Sequence, residues 1–441
     1  MIAFRSFLTA VGLLLGIANA AALPGTALAA GPIDASVTGI ENKFPDELVF
    51  SIEAASTAAD IRSVTLHSII GSGPAERRGN VGVQPGRNVK TTFSYKTGGN
   101  NFVAPGADIA YWLEAQDAAG NKFESDKAVF WYADTRFEWR NLKEGSVTVY
   151  YYGAAEANAR RALAAAHQTQ QKVGNMFGVS ARPFRVMLYN TPRDITGAQP
   201  VEQSQTRRTE IIRAGIAYSG EDLVQVLGVG GSGAEDTARH EITHLFVHWT
   251  AGSNVATWLN EGMAVWGQSD GGQEYVPYFR RALANNALLL IRGMDSFPGK
   301  SDDTLLAYGQ SYTIVKWMIE TYGPEKMRGL MESLKAGDGL ARGLQQHYGV
   351  TVDQLDAKWR QSVGAPPRSY DTAVPTAIAI PTIAPIGAAP AAPQPTSAGS
   401  SAGGASIAGG VPPFLMVGAG VGAFLLVLVG GAAAFSIARR R

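Results

Sequence analysis

One segment constrains the architecture more than any other: His240-Glu241-Ile242-Thr243-His244, followed after a sixteen-residue spacer by Glu261 within Trp258-Leu259-Asn260-Glu261-Gly262. On an α-helix, residues four apart lie on one face. His240 and His244 therefore present two imidazoles to one point, and Glu241 sits one position round, within reach of a water there. The stretch Ala234 to Thr250 contains no Gly or Pro and reads as one helix. Ser232 stands where a cap is wanted, and Glu235 and Asp236 fall in the first turn, where the helix dipole favours acids. A turn, Ala251-Gly252-Ser253-Asn254, follows, and a second helix opens near Trp258. Two helices folded back across that turn bring Glu261 beside the histidines. A catalytic zinc takes three protein ligands and keeps one open position. The expectation is one zinc per chain on His240, His244 and Glu261, with Glu241 as general base.

The pattern resembles the gluzincin zinc peptidases, most closely the peptidase-MA-like family of exported bacterial proteins. The resemblance rests on Ala238-Arg239-His240-Glu241-Ile242-Thr243-His244, on Thr257 to Ala264, and on Ala307-Tyr308-Gly309-Gln310-Ser311-Tyr312. It covers roughly residues 145 to 365. It implies a thermolysin-like active site, although the spacer before Glu261 is slightly shorter than in thermolysin or the aminopeptidases. In such a site the general base takes a proton from a water and passes it to the leaving amine. A second donor usually helps at the oxyanion. Tyr308 and Tyr312, four apart on an expected helix from Leu305 to Thr321, are the candidates. The plainer alternative packs both tyrosines in the core beside Trp317.

Other readings of the same residues exist. His240 and His244 can be read as buried core histidines, but three of the six histidines fall within residues 240–248. His248 continues the four-residue spacing. The metzincin pattern carries Gly and His at positions that here hold Val247 and Thr250, so His248 reads as a packing neighbour. Glu261 can be read as a plain acid of a first helical turn; the resemblance makes it the third ligand.

The ends of the chain carry their own signals. Residues 1–30 hold Arg5, an apolar run and small residues ending Ala-Leu-Ala-Ala, the pattern of a secretory signal peptide. Residues 413–438 are apolar and long enough to span a bilayer as a single transmembrane helix. Residues 439–441 are Arg439-Arg440-Arg441, a basic tail that the positive-inside rule puts in the cytoplasm. Between them and the body, residues 366–412 are rich in Pro, Ala, Ser and Gly and read as a stalk. The expectation is a single-pass membrane protein, bacterial, with its N-terminal bulk outside the cytoplasm.

Residues 31–137 read as an all-β sandwich. Leu48 to Glu53, Ile61 to His67, Val89 to Tyr95 and Ile109 to Ala115 alternate, with Gly- and Asn-rich turns between them. The run Tyr111 to Asn121 resembles the closing hairpin of immunoglobulin-like or fibronectin type III domains. No ligand constellation is evident here, which makes this domain a spacer or a substrate-positioning module. Residues 138–365 read as an α+β zincin-like peptidase domain. It has strands Val147 to Tyr152 and Phe184 to Tyr189, an Ala-rich helix from Ala154 to Met176, and strand-like sequence over 205–230. Helices follow at about 274–291, 303–321, 324–336, 338–347 and 352–363. In gluzincin-like folds an edge strand of the 205–230 kind binds extended peptide.

Net charge of +1 gives no electrostatic case for nucleic acid, and the absence of cysteine excludes thiol chemistry, disulfides and Cys-based metal sites. The reading is a membrane-anchored, extracytoplasmic zinc metallopeptidase acting on a peptide or protein substrate. The alternatives are a catalytically inactive peptide-binding protein and a zinc-stabilised surface scaffold. Retention of Glu241 favours the enzyme. The large aminopeptidases' amine-binding sequence is not found, so endopeptidase is preferred. Oligomeric state and specificity are not legible.

Overall fold

The computed structural model describes residues 31–180, 182–199, 212–228, 232–269, 271–297, 301–370 and 423–428. The first body is a pair of antiparallel sheets. β1 (Ile33–Lys43), β2 (Glu47–Ser56) and β5 (Asn88–Lys96) form one, in the order β1-β2-β5. The other holds β3 (Ile61–Ile70), β4 (Glu76–Val81), β6 (Asp108–Asp117) and β7 (Lys122–Glu124) in the order β4-β3-β6-β7, with β8 (Ala128–Trp131) also on β6. Strict alternation in β2 buries Leu48, Phe50, Ile52 and Ala54 and turns their neighbours outward, as a strand with one covered face requires. Strands β1, β4, β7 and β8 had no clear period in the sequence. β1 is exposed at most positions and β4 carries Glu76, Arg77 and Arg78, which is how natural sheets protect their edges.

The second body is built on a mixed sheet. β9 (Arg140–Glu144) runs antiparallel to β10 (Val147–Tyr151). A crossover through α1 (Glu156–Thr169), a wider-turned segment Gln170–Gly174 and α2 (Asn175–Phe177) leads to β11 (Phe184–Tyr189), parallel to β10. After α3 (Pro192–Thr196) come β12 (Ile212–Tyr218) and β13 (Leu223–Leu227); β13 is parallel to β11 and antiparallel to β12. The Ala-rich character of α1 has a packing reason: Ala159, Ala162 and Ala166 are buried and bring the helix close to the sheet.

The remainder is helical: α4 (Ser232–Ala251), α5 (Thr257–Gly267), α6 (Val276–Ala284), α7 (Ser301–Tyr322), α8 (Pro324–Lys335), α9 (Leu340–Tyr348) and α10 (Val352–Ser362). The single helix expected over 274–291 is broken. α6 ends at Ala284, and Asn286 adopts a left-handed φ of 50° that helix geometry does not allow. Residues 366–370 lie against this domain, with Pro366 O accepting from Arg360 and Tyr370 Oη donating to Asp356.

The two bodies share a core. Val186 and Leu188 of β11 point to the helical side, while Met187 and Tyr189 point into the hydrophobic cluster of the β-sandwich. Ala217 and Val224 belong to the helical side; Ile216, Tyr218 and Leu223 belong to the sandwich side. A sheet covered on both faces needs such doubly apolar strands. Polar ties fix the contact. Arg185 pairs with Asp108 at 2.7 Å, Gln225 Nε2 donates to Pro105 O at 3.1 Å, and Ser72 N donates to Gly220 O at 3.1 Å. Gly106, at φ +106°, passes so close to Met187 that a β-carbon there would lie 2.8 Å from its Cγ. The β-sandwich is therefore a structural layer over the sheet, not a detached spacer.

Of the apolar segment 413–438, only Ala423–Leu428 (β14) are described. They form a strand paired antiparallel with β12, not the turns of a spanning helix. The run Phe424-Leu425-Leu426-Val427 suits a strand against an open sheet edge as well as it suits a helix. The rest of that segment, the leader 1–30, the stalk beyond 370 and the basic tail lie outside the described residues. Among the described residues no helix is long and apolar enough to cross a membrane.

Candidate active site

The site lies where α4, α5 and α7 meet β12. Close crossings at glycines make this possible. A β-carbon on Gly267 of α5 would meet Thr243 Oγ1 of α4, and one on Gly262 would come 2.5 Å from Ser311 O of α7. α5 is thus squeezed between α4 and α7, which presses Glu261 onto the histidine face of α4. Asp236 ties the ends together, its Oδ1 accepting from Arg239 at 2.9 Å and from the backbone of Ser269 at 2.7 Å, just past α5. Arg239 also donates to Gln168 in the last turn of α1 at 2.6 Å, fixing the rotation of α4.

His240, His244 and Glu261 come together as the spacing requires. One donor atom from each lies within 4.8 Å of the others, and all three side chains are buried. Glu261 Oε2 is 3.2 Å from His240 Nε2 and 3.6 Å from His244 Nε2. The imidazole rings are 4.9 Å apart and nearly perpendicular. His244 Nδ1 lies 3.1 Å from Asn260 Oδ1. An amide oxygen only accepts, so the proton sits on Nδ1 and Nε2 is left to bind a cation.

Burial sets the electrostatics. It holds His240 down to about 3 and His244 down to about 4, so both imidazoles are neutral, the form that binds metal. It pushes Glu261 up to about 7, against the pull of His244. Glu241 is driven well above the carboxylate range, first by burial and then by the neighbouring Glu261. Both Glu241 oxygens are buried with no side-chain hydrogen-bond partner, and the backbone of Ala217 draws the carboxyl's proton affinity down. Two carboxyls and two imidazoles packed this way are expensive in an apolar interior unless a cation joins them. The donor set, two neutral imidazoles and one carboxylate, fits zinc.

Tyr308 is buried beside this group. Its ring lies 6.2 Å from that of His240 and stacks on Tyr275 at 5.3 Å. Tyr312 is partly buried one turn on, with its hydroxyl against Gly271. His248 lines a neighbouring cavity and is not part of the metal-binding group.

Two contributors were not recognised in the sequence. Gly215 of β12 faces Glu241, and a β-carbon there would lie 2.7 Å from Glu241 Cγ and 2.9 Å from its Oε1. The signal was a glycine inside a strand, which marks a close approach. The second is a cavity of about 280 Å³ beside His244 and Asn260, bounded by the β3–β4 turn of the sandwich and by Ser219 to Glu221. Nothing in the linear sequence links residues 70–77 to this site.

A helix-borne pair of histidines, a glutamate from the next helix and a buried carboxyl beside them form a donor set that suits one zinc ion. Residues 165–365 match the family model of the Peptidase MA superfamily, a stretch that contains every one of these residues. No curated protein matches the chain. Among solved structures, a two-domain M1 zinc metallopeptidase mutant bound to L-tryptophan is 13% identical with a TM-score of 0.32; the match covers 77% of this chain and 94% of that one. The L-arginine complex of a two-domain M1 zinc metallopeptidase mutant is 12% identical with a TM-score of 0.33, covering 74% and 92%.

Proposed function

We propose that the chain is a zinc-dependent metallopeptidase that hydrolyses peptide bonds of a peptide or protein substrate. The observation that carries this reading is the buried Glu241 carboxyl, which has no side-chain hydrogen-bond partner and lies next to the His240–His244–Glu261 group. A scaffold needs the three ligands but has no use for that fourth group. The family match over 165–365 supports the same class.

His240, His244 and Glu261 would hold the metal, and Asn260 fixes the tautomer of His244. The chemistry that bound zinc supplies is activation of a water and polarisation of a carbonyl. Glu241 accepts the proton of the attacking water and returns it to the leaving amine. To act as a base it must be ionised, and a cation bound by His240, His244 and Glu261 would favour its ionised form against the burial that raises its proton affinity. Gly215 leaves the space in which the carboxyl sits. Tyr308, whose ring lies 6.2 Å from that of His240, donates to the developing oxyanion; Tyr312 supports it from the next turn. We further propose that the protein is exported and works outside the cytoplasm, a reading supported by residues 1–30 of the sequence.

The test is hydrolysis of a quenched-fluorescent peptide library by the zinc-loaded full chain. Cleavage that a chelator stops and Glu241→Gln abolishes is expected. Binding of peptides with no cleavage at any pH would move the chain to the inactive peptide-binding class.

A further inference from the structure

The cavity beside the metal group has a chemistry of its own. Its walls come from both bodies: Ile70 and Arg77 of the sandwich, Glu221 after β12, and Val247, His248 and Val255 around the end of α4. Ile70, Val247 and Val255 give it an apolar length. Glu221 Oε2 is buried and has no hydrogen-bond partner. The backbone at Glu221 is held rigidly, because Gly71 at φ +58° packs directly on its Cα and the Ser72–Gly220 bond closes the turn. A binding group on a fixed element of this kind is preorganised.

Among the described residues, Arg77, Tyr218, His244 and His248 share the cavity wall with this carboxyl. Arg77 lowers its proton affinity but directs its own Nη1 to Asn101 O at 3.3 Å. His248 is kept neutral by burial. Without a stronger partner, burial pushes Glu221 up to about 8. A cationic head entering the cavity would pair with the free oxygen, restore the ionised carboxylate and form a charge-assisted hydrogen bond. The apolar length suits a methylene stem. A free α-amine has no such stem; a lysine or arginine side chain has one.

We propose that this cavity is a side-chain pocket of the substrate cleft and that Glu221 selects a basic side chain, lysine or arginine, in the bound peptide. The inference rests on the peptidase reading for the word substrate, but its binding chemistry is separately measurable.

The test uses the zinc-loaded full chain carrying Glu241→Gln, which binds without turning over. Fluorescent N-acetylated peptides are scanned with lysine, arginine or norleucine at successive positions. At one position lysine and arginine bind more tightly than norleucine, by about 10- to 100-fold, the range for a buried charged hydrogen bond. Adding Glu221→Gln collapses that ratio towards one. Arg77→Met, which removes the competing cation, raises it. A ratio unmoved by Glu221→Gln, in protein whose circular dichroism and zinc content match the parent, overturns the proposal. So does tight binding that needs a free α-amine and ignores the side chain. If basic selectivity appears but the chain with Glu241 intact cleaves none of the peptides, the pocket stands and the peptidase reading falls.

Discussion

The substitution Gly215→Ala separates the general base from the metal ligands, because it disturbs the first and touches none of the second. A β-carbon at 215 would sit 2.7 Å from Glu241 Cγ and 2.9 Å from Oε1, where ordinary contact begins at 3.4 Å. The Glu241 side chain must therefore retreat by 3.4 − 2.7 = 0.7 Å at Cγ and 3.4 − 2.9 = 0.5 Å at Oε1 if the strand holds its place. A catalytic group misplaced by about 1 Å costs about 100-fold in rate. Displacements somewhat smaller than that predict a fall in kcat/KM of roughly 10- to 100-fold. Overpacking costs about 1–3 kcal/mol of stability, and Thr237 Cγ2, at 2.9 Å, shares it. Zinc content should stay at one per chain, since the atoms nearest the new methyl belong to Glu241 and Thr237 and not to His240, His244 or Glu261. The assay pairs steady-state peptide hydrolysis with elemental analysis on the same sample. Undiminished kcat/KM would refute the placement of Glu241 against β12. Loss of zinc together with activity would show that β12 supports the ligands rather than the base.

The other expectations concern neighbouring parts of the same arrangement. Asn260→Ala frees the His244 Nδ1 proton from its acceptor. Zinc affinity should drop by about 10- to 100-fold in a chelator competition, and an unchanged affinity would show that the tautomer is set elsewhere. Tyr308→Phe keeps the stack on Tyr275 and removes only the hydroxyl; kcat should fall by about 100-fold or more with little change in KM, whereas Tyr312→Phe should have a small effect. Equal behaviour of the two variants would reject Tyr308 as the oxyanion donor. Gly106→Val puts a branched side chain at φ +106° against Met187, so a loss of about 2–5 kcal/mol is expected in urea unfolding monitored on both bodies. A separate early transition of the sandwich would contradict the shared core.

The metal group was legible because helical spacing is a local rule. The four-residue spacing of His240 and His244 fixes a common face, and a turn at Gly252 leaves Glu261 one place to go. The strands Leu48 to Glu53 and Phe184 to Tyr189 were legible for the same reason, one by alternation and the other by a continuous apolar run. What the sequence hid was tertiary. Met187 and Tyr189 gave no sign that the β-sandwich, and not a second helix layer, covers their face. Gly262, Gly267 and Gly215 are ordinary glycines until the helix or strand opposite is known. Glu221 sits in a Ser-Gly-Glu-Asp turn that reads as solvent-exposed; only the β3–β4 turn, some 150 residues earlier in the chain, makes it part of a pocket. The apolar run at 413–438 met the length rule for a membrane span, but that rule does not exclude a strand, and β14 is one.

The central claim is that two imidazoles and one carboxylate from α4 and α5 hold a catalytic zinc. The most direct measurement is the metal content of the purified full chain, by elemental mass spectrometry, for the parent, Glu241→Gln and His244→Ala. The account predicts about one zinc per chain in the parent and in Glu241→Gln, and none in His244→Ala. Parent protein that binds no zinc after reconstitution, or a His244→Ala variant that keeps its zinc, would contradict it.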